Sequence, residues 1–261
     1  MSGLMHGKRV LVVGARTKWS LAWGAASALH REGATLAFSV FGDREEKGVR
    51  KLMEDAGITG SIFQCDAGEE SQIESLLHQT SKLFDGQLDG LVHGIAFANK
   101  EELSGEFIAT SREGFTLAHD RSVYTLVSMA RAARPLMRAA GGGSIVTLTY
   151  IGSERVVPNY NVMGVAKASL EASVRYLAAD LGPEAIRVNA VSAGPVKTMA
   201  ASAIANIDLM MQNVVERSPL RRSTKTEEVG DSVMFLLSSL ARGITGEVLH
   251  VDSGYHIIGM V

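Results

Sequence analysis

The run Lys8-Arg-Val-Leu-Val-Val-Gly14 decides the fold, because it is short, apolar in its centre and ends in glycine. A strand that is buried on both faces of a parallel sheet has this composition, whereas a strand with one face in water alternates apolar and polar residues. Six similar runs follow, and they cover residues 35–40, 61–66, 88–96, 144–151, 186–193 and 247–252. The sequence therefore predicts a sheet of seven parallel strands.

Segments of helical length and period stand between these runs. They cover residues 21–32, 45–56, 70–84, 122–140, 159–181 and 226–239. Strands that alternate with helices imply right-handed crossovers and a doubly wound sheet with helices on both faces. We predict one Rossmann-type α/β domain over residues 1–261, with a helical, methionine-containing insert at about 196–226 that covers the substrate.

Composition narrows the class of protein. The chain has 261 residues, of which 46% are hydrophobic, so it can bury a large core. A net charge of −2 argues against nucleic acid as the main ligand. The single cysteine, Cys65, excludes an internal disulfide and a cysteine-rich metal site, which suits a reducing cytosol. No run is apolar enough for a membrane span or a signal peptide, so we expect a cytoplasmic protein.

A doubly wound sheet binds a dinucleotide at the carboxyl ends of its strands, near the start of the first helix. The first turn here is Gly14-Ala-Arg-Thr-Lys-Trp-Ser20-Leu-Ala-Trp-Gly24, which is not a G-x-G-x-x-G motif. Gly14 and Gly24 suit tight turns, and Ser20 suits both a helix N-cap and a phosphate donor. An ordinary turn between strand and helix is the alternative interpretation.

The second strand bears on the choice between NADH and NADPH. Residues 40–43, which include Phe41 and Asp43, follow this strand and are expected to face the adenine ribose. An acid there favours NADH and an arginine favours NADPH. Asp43 favours NADH, but Arg16 and Arg44 lie nearby in the sequence, so NADPH stays open.

The third and fourth strands end in further candidates. Asp66 is placed to accept a hydrogen bond from the adenine amino group, and the small residues of 93–98 would let the backbone lie beside the cofactor. His93 has no carboxylate partner visible in the sequence, so we expect a core imidazole whose hydrogen bonds are satisfied.

Two tyrosines and a lysine share the stretch Tyr150-Ile-Gly-Ser-Glu-Arg-Val-Val-Pro-Asn-Tyr160-Asn-Val-Met-Gly-Val-Ala-Lys167. Pro158 favours the first turn of a helix. Seven steps of about 100° make roughly two turns, so Tyr160 and Lys167 are expected on one helix face. Neutral hydroxyls and a fixed cation suit the reduction of a conjugated carbonyl. The alternative is that the tyrosines are packing residues and the lysine a solvated charge.

Several stretches resemble one family over nearly the whole chain. They are His30-Arg-Glu-Gly33, Thr110-Ser-Arg-Glu-Gly-Phe115, Ala118-His-Asp120, Pro158-Asn-Tyr-Asn-Val-Met-Gly164, Lys167-Ala-Ser-Leu-Glu-Ala172 and Ser192-Ala-Gly-Pro195. The chain resembles the bacterial enoyl-acyl-carrier-protein reductases, a divergent branch of the short-chain dehydrogenases marked by Y-x6-K. Met163 stands at the usual tyrosine position and Tyr150 at the usual serine position.

The resemblance implies that Tyr160 hydrogen-bonds the thioester oxygen, Tyr150 supports the substrate and Lys167 holds the nicotinamide ribose. With Phe41 from the strand argument, the expected cofactor contacts are Gly14, Ala15, Ser20, Leu21, Phe41, Asp66, Ala67, Ile95, Lys167, Val196, Lys197, Thr198, Met199 and Ala200. The expected substrate contacts are Ala98, Tyr150, Met163 and Met210.

The implied activity is NADH-dependent reduction of the trans-2 double bond of enoyl thioesters in fatty-acid elongation. The implied partners are acyl carrier protein and further copies of the chain in a homotetramer. The candidates for a basic face that docks the carrier protein are Lys197, Arg217, Arg221, Arg222 and Lys225. The alternative for Arg221 and Arg222 is an ordinary solvated pair. Two alternatives remain, a short-chain dehydrogenase acting on ketones or alcohols, and an NAD(P)H-binding sensor without turnover.

Overall fold

The structure is a computed structural model that describes residues 3–196 and 207–259. Its strands are β1 (Arg9–Val13), β2 (Thr35–Val40), β3 (Gly60–Gln64), β4 (Gly90–His93), β5 (Gly143–Thr149), β6 (Ile186–Ala193) and β7 (Val248–Val251). They form one seven-stranded parallel sheet in the order β3-β2-β1-β4-β5-β6-β7. The predicted doubly wound α/β fold is confirmed, and β2 and β6 have the predicted bounds.

Helices cover both faces of this sheet. They are α1 (Leu21–Arg31), α2 (Asp43–Ala56), α3 (Glu70–Leu83), α4 (Arg112–His119), α5 (Thr125–Ala139), α6 (Asn161–Leu181), α7 (Ile207–Arg217) and α8 (Thr226–Leu237). Alternate residues of β1 belong to two cores. Val10 and Val12 pack in the core that contains α1, α2 and α8, whereas Leu11 and Val13 pack in the core that contains α3, α5 and α6. None of the described helices is long and apolar enough to cross a membrane.

The two glycines of the first turn have different roles. Gly14 has a φ of 91°, and a Cβ there would overlap the carbonyl oxygen of Gly94. Only glycine suits such a turn. Gly24 lies inside α1, and a Cβ would lie 2.5 Å from the carbonyl oxygen of Thr226 at the start of α8. The tight-turn prediction is therefore wrong for Gly24, which instead lets two helices pack closely.

The segment between β4 and α5 is more irregular than predicted. Short 3₁₀ helices cover Lys100–Leu103 and Phe107–Ala109, α4 follows, and a π-helical turn covers Asp120–Tyr124. The predicted single helix over 122–140 is wrong at its start, because α5 begins only after the π turn. The side chain of Ser111 caps α4 by accepting from the Gly114 N–H at 2.9 Å, a signal that was present in the sequence.

The predicted helical insert at 196–226 contains α7 (Ile207–Arg217). Residues 197–206 lie outside the described part of the chain.

Candidate active site

A cavity of about 390 Å³ opens at the carboxyl edge of the sheet, where the strand order reverses between β1 and β4. Its size and place suit a ligand site of a doubly wound fold. Its lining comes from the ends of β1, β4, β5 and β6 and from the starts of α1 and α6. Predicted site residues in the lining are Gly14, Ser20, Leu21, Ile95, Ala98, Tyr150, Tyr160, Met163, Lys167 and Val196.

The two tyrosines approach the cavity from different elements. Tyr150 follows β5, and Tyr160 is the N-cap residue of α6. Their rings meet edge to face at 73°, with centroids 5.1 Å apart. A Cβ on Gly152 would lie 2.5 Å from Cδ1 of Tyr160, so the ring occupies space that only a glycine leaves open. The pair is therefore held by packing as well as by chain direction.

The entry to α6 differs from the prediction. Pro158 lies outside the helix, which begins at Asn161, so its assignment to the first helical turn is wrong. The chain turns through Asn159 and Asn161, whose φ angles are 61° and 34°. Asparagine enters the left-handed region more readily than other residues with a side chain. The Asn161 amide donates to the carbonyl oxygen of Gly105 at 3.1 Å, which ties the helix start to the 3₁₀ segment.

Lys167 is buried, with 5% of the residue exposed, so the interpretation as a solvated charge is wrong. Its Nζ donates to the carbonyl oxygen of Leu148 at 2.7 Å, and it lines the cavity together with Tyr160, as their spacing predicts. Burial lowers the pKa of Lys167 to about 8, and the negative charge of Glu171 acts in the opposite direction. Lys167 is thus a cation at neutral pH, although its burial disfavours the charged form.

Both phenols are neutral at neutral pH. Burial raises the pKa of Tyr150 to about 12, with a smaller contribution from Tyr255. Burial also raises the pKa of Tyr160 above its usual range, with smaller contributions from Tyr150 and Glu171. A neutral phenol is a hydrogen-bond donor, so the site presents O–H donors and a nearby ammonium to whatever fills the cavity.

Glu171 is a buried group that the sequence reasoning missed. It is 7% exposed and lies one turn after Lys167 on α6. Its Oε1 accepts from the Thr149 hydroxyl at 2.6 Å, and Thr149 directly precedes Tyr150. The contact joins the end of β5 to the helix that carries the lysine. The available signal was the i, i+4 spacing of Lys167 and Glu171 on a predicted helix.

His93 is the core imidazole that the sequence predicts. It is fully enclosed, with Nδ1 2.9 Å from the Thr147 hydroxyl and Nε2 3.0 Å from the Thr125 hydroxyl. Burial, and secondarily the charge of Lys167, lowers the pKa of His93 to about 3. The ring is therefore neutral and adds no charge beside the lysine.

Some predicted cofactor contacts do not line the cavity in the described structure, and they are Ala15, Phe41, Asp66 and Ala67. Ala15 is buried in the core, and Phe41 is 68% exposed. Oδ1 of Asp66 forms an ion pair with the guanidinium of Arg121 from the π turn. The same oxygen accepts a hydrogen bond from the Gly68 N–H at 2.9 Å. The assignment of Asp66 to the adenine amino group stays a prediction.

Ser20 stands at the N-cap of α1, but its side chain makes no capping bond. Its hydroxyl donates to the carbonyl oxygen of Thr17 at 2.7 Å and accepts from the Arg16 N–H at 3.3 Å. The predicted N-cap position is therefore confirmed, but the hydroxyl orders the turn before the helix and does not cap it.

The remaining predicted residues fall in or beside the undescribed segment. Lys197, Thr198, Met199 and Ala200 lie outside the described residues, and Met210 belongs to α7 without a described side chain. Met163 is 6% exposed, with its sulfur 3.8 Å from the Ser122 hydroxyl.

A doubly wound sheet with a cavity where the strand order reverses defines a class, the dinucleotide-binding α/β proteins. The family model described as enoyl-(acyl carrier protein) reductase matches residues 14–256. The chain belongs to this family.

Relatives match over nearly their whole length. The NADH-dependent enoyl-acyl-carrier-protein reductase FabI of Bacillus subtilis (strain 168) is 52% identical over 258 residues, which cover 98% of this chain and 99% of that protein. FabI of Escherichia coli (strain K12) is 46% identical over 259 residues, which cover 99% and 97%. The crystal structure of the Bacillus cereus reductase with NADP+ and indole naphthyridinone has a TM-score of 0.95 at 49% identity and covers 99% of this chain and 100% of that chain.

A second solved structure contains NAD, whereas the first contains NADP+. The reductase of Anaplasma phagocytophilum in complex with NAD has a TM-score of 0.94 at 43% identity, and the match covers 100% of this chain and 98% of that chain.

Proposed function

We propose that the protein reduces the trans-2 double bond of enoyl thioesters carried by acyl carrier protein, with NADH as the reductant. The observation that carries this proposal is the pair of neutral phenols, Tyr150 and Tyr160, beside the buried ammonium of Lys167 in one cavity. Membership of the enoyl-(acyl carrier protein) reductase family supports the same reaction.

The residues present fit NADH. Gly14, Thr17 and Ser20 line the cavity at the start of α1, where backbone N–H groups favour a pyrophosphate. Lys167 lines it at the other end, where a cation suits ribose hydroxyls. Bound NADH would supply the hydride. The groups proposed to bind the phosphates and the ribose thus line one cavity.

Tyr160 is proposed as the donor to the thioester oxygen. Conjugate reduction of an enoyl thioester leaves negative charge on this oxygen, and a preorganised donor stabilises that charge. One such donor is worth about 3 to 4 kcal/mol in a site closed to water, or roughly 10² to 10³ in rate. Tyr150 packs against the Tyr160 ring and supports the substrate.

Lys167 is proposed to bind and orient, without transferring a proton. Its ammonium already donates to the carbonyl oxygen of Leu148, which leaves further N–H donors for the ribose hydroxyls. Apolar side chains on the same wall, among them Ala98, Leu103 and Met163, would contact the acyl chain. The insert at 196–226, with Met210, would exclude water from it.

The carrier protein is proposed to dock on the basic residues at the end of α7 and in the segment after it. Arg222 is paired with Glu228, with Nη2 2.6 Å from Oε1, so Arg217, Arg221 and Lys225 are the better candidates. Lys197 lies outside the described residues. Arg217→Glu should raise KM for a carrier-protein thioester and leave KM for the coenzyme A thioester unchanged. Equal KM changes for both substrates would refute this docking face.

A homotetramer in the cytoplasm completes the proposal. Phe115, Tyr124 and Tyr176 are 40%, 44% and 77% exposed on α4, the π turn and α6, and such aromatic residues suit a subunit interface. Light scattering should give four times the chain mass. A monomer at all concentrations would refute the assembly without touching the reaction.

The test of the reaction is the consumption of NADH with a crotonyl thioester, run beside a panel of ketones and alcohols. We expect turnover of the thioester alone, because Met163 occupies the position where a ketone reductase needs tyrosine. Turnover of ketones alone would establish the short-chain dehydrogenase alternative. Binding of NADH without any turnover would establish the sensor.

A further inference from the structure

The loop after β2 holds its acidic groups in an arrangement that the sequence did not indicate. Asp43, the acid expected near the adenine ribose, accepts from the Gln64 side chain at 2.6 Å and so is drawn towards the end of β3. Phe41 is 68% exposed. The carboxylate of Asp43 is therefore directed at the end of β3 and not at the turn after β1, and Phe41 has no carboxylate.

Glu45 supplies that carboxylate. Its Oε2 accepts from the Phe41 N–H at 3.0 Å, which fixes it at the carboxyl end of β2. Its Oε1 lies 2.5 Å from Nη2 of Arg16, and 17% of its side chain is exposed. Arg16 belongs to the turn after β1 and lines the cavity. One carboxylate thus joins the two loops that a dinucleotide-binding fold directs at the adenine ribose.

The backbone holds the same two loops together independently of this ion pair. A Cβ on Gly48 in α2 would lie 3.6 Å from the carbonyl oxygen of Arg16, which is ordinary contact distance. The second turn of α2 therefore lies close to the turn after β1.

The neighbouring acid, Glu46, is engaged elsewhere. Glu46 accepts from Arg50 at 2.7 Å and from Gln64 at 2.9 Å. Arg44 is exposed, and it forms no ion pair among those described. Glu45 is the acid of this loop that faces Arg16.

We propose that Glu45 determines the choice of NADH over NADPH, by engaging Arg16 and by keeping a carboxylate at the end of β2. This assignment rests on the proposed function, because it concerns the cofactor of that reaction. A carboxylate at this place accepts from a 2′-hydroxyl and repels a 2′-phosphate, whereas a free arginine attracts the phosphate. Arg16, which kept NADPH open in the sequence analysis, becomes a latent phosphate-binding group that Glu45 engages.

The test compares Glu45→Gln with the matched control Glu46→Gln, which removes an acid from the same helical turn. Affinities for NADH and NADPH are measured by fluorescence titration without substrate. We expect Glu45→Gln to bind NADPH up to about fivefold more tightly relative to NADH, since an ion pair with a half-exposed arginine contributes up to about that factor. The gain should shrink with added salt, because Arg16 is half exposed. Glu46→Gln should keep the wild-type ratio.

The double variant Arg16→Gln/Glu45→Gln tests whether Arg16 is the group that Glu45→Gln releases from its ion pair. We expect it to lose the gain in NADPH affinity, and Arg16→Gln alone should show none. Thermal unfolding of each variant, with NADH binding as a second check, establishes that the chain is folded.

Two outcomes would overturn the assignment. One is a folded Glu45→Gln protein whose ratio of NADPH to NADH affinity equals that of Glu46→Gln. The other is a double variant that keeps the gain. Failure of the wild-type protein to bind either dinucleotide would instead overturn the proposed function and this assignment together.

Discussion

The two ends of the cavity differ in how their polar groups are held. At the tyrosine–lysine end, Lys167 is 5% exposed and the rings of Tyr150 and Tyr160 pack against each other. At the arginine–glutamate end, the side chain of Arg16 is 54% exposed and is held by a carboxylate from another loop. The tyrosine–lysine end is buried and packed, whereas the arginine–glutamate end is exposed and held by an ion pair.

Because of this difference, we expect one end to affect the reaction rate and the other end to affect the choice between NADH and NADPH. A donor that is shielded from water interacts at nearly full strength with a charge that develops in the reaction. An exposed ion pair is screened and contributes roughly 0 to 1 kcal/mol. Substitutions at the tyrosine–lysine end should therefore change the rate by large factors. Substitutions at the arginine–glutamate end should change the choice of cofactor by smaller ones.

The largest effect should come from Tyr160→Phe, which removes one hydroxyl from the packed end. We expect kcat with a crotonyl thioester to fall by about 10² to 10³, because the oxyanion loses its donor. Steady-state kinetics and an NADH titration measure this, and NADH affinity should stay near the wild-type value. Tyr150→Phe is the matched control and should lower kcat less. An unchanged kcat for Tyr160→Phe would remove the contrast between the two ends.

A smaller loss should follow from Gly152→Ala, which leaves both phenols in place. The new Cβ would lie 2.5 Å from the Tyr160 ring, so the ring must move. A displacement of about 1 Å can lower the rate about 10²-fold, so we expect a fall in kcat of up to that size. Gly182→Ala is the control, because φ is −54° there and a Cβ would meet nothing within 4 Å. Equal rates for both variants would show that packing does not position Tyr160.

The smallest effect should come from Glu171→Gln, and it is a change of pH dependence. NADH binding by a charged Lys167 should weaken as pH rises through its pKa of about 8. Glu171 supports this charge, while His93 is neutral and both tyrosines stay protonated in that range. Loss of the carboxylate lowers the lysine pKa further, so the decline in NADH affinity should move to lower pH.

Fluorescence titrations at a series of pH values measure this shift. Glu184→Gln removes a carboxylate that is paired with Arg134 on the surface, and it should leave the decline at the wild-type pH. If both variants lose NADH affinity over the same pH range, Glu171 does not support the charge of Lys167.

Much of the fold was predictable, because continuous apolar runs report buried parallel strands directly. The bounds of β2 and β6 agree with the structure to the residue. The start of α6 was not predictable from Pro158, because two asparagines with positive φ redirect the chain. The irregular segment before α5 has no single period, so periodicity could not find its 3₁₀ and π turns.

Some features of the site were predictable from the sequence and others were not. Tyr160 and Lys167 are seven residues apart on one helix, so their spacing alone predicts a shared face. The contacts of Glu171 with Thr149 and of Glu45 with Arg16 join elements that are distant in the sequence, so they follow from the packing of the fold. Local sequence therefore predicted the shared face of Tyr160 and Lys167, but not the carboxylates at either end of the cavity.

The most direct test of the central claim is the position of deuterium after reduction of a crotonyl thioester with NADH that carries deuterium at the transferable position. Tandem mass spectrometry of the product locates the label. The account predicts a butyryl thioester with deuterium on Cβ and an intact thioester carbonyl. Deuterium on the former carbonyl carbon, with the double bond retained, would contradict it.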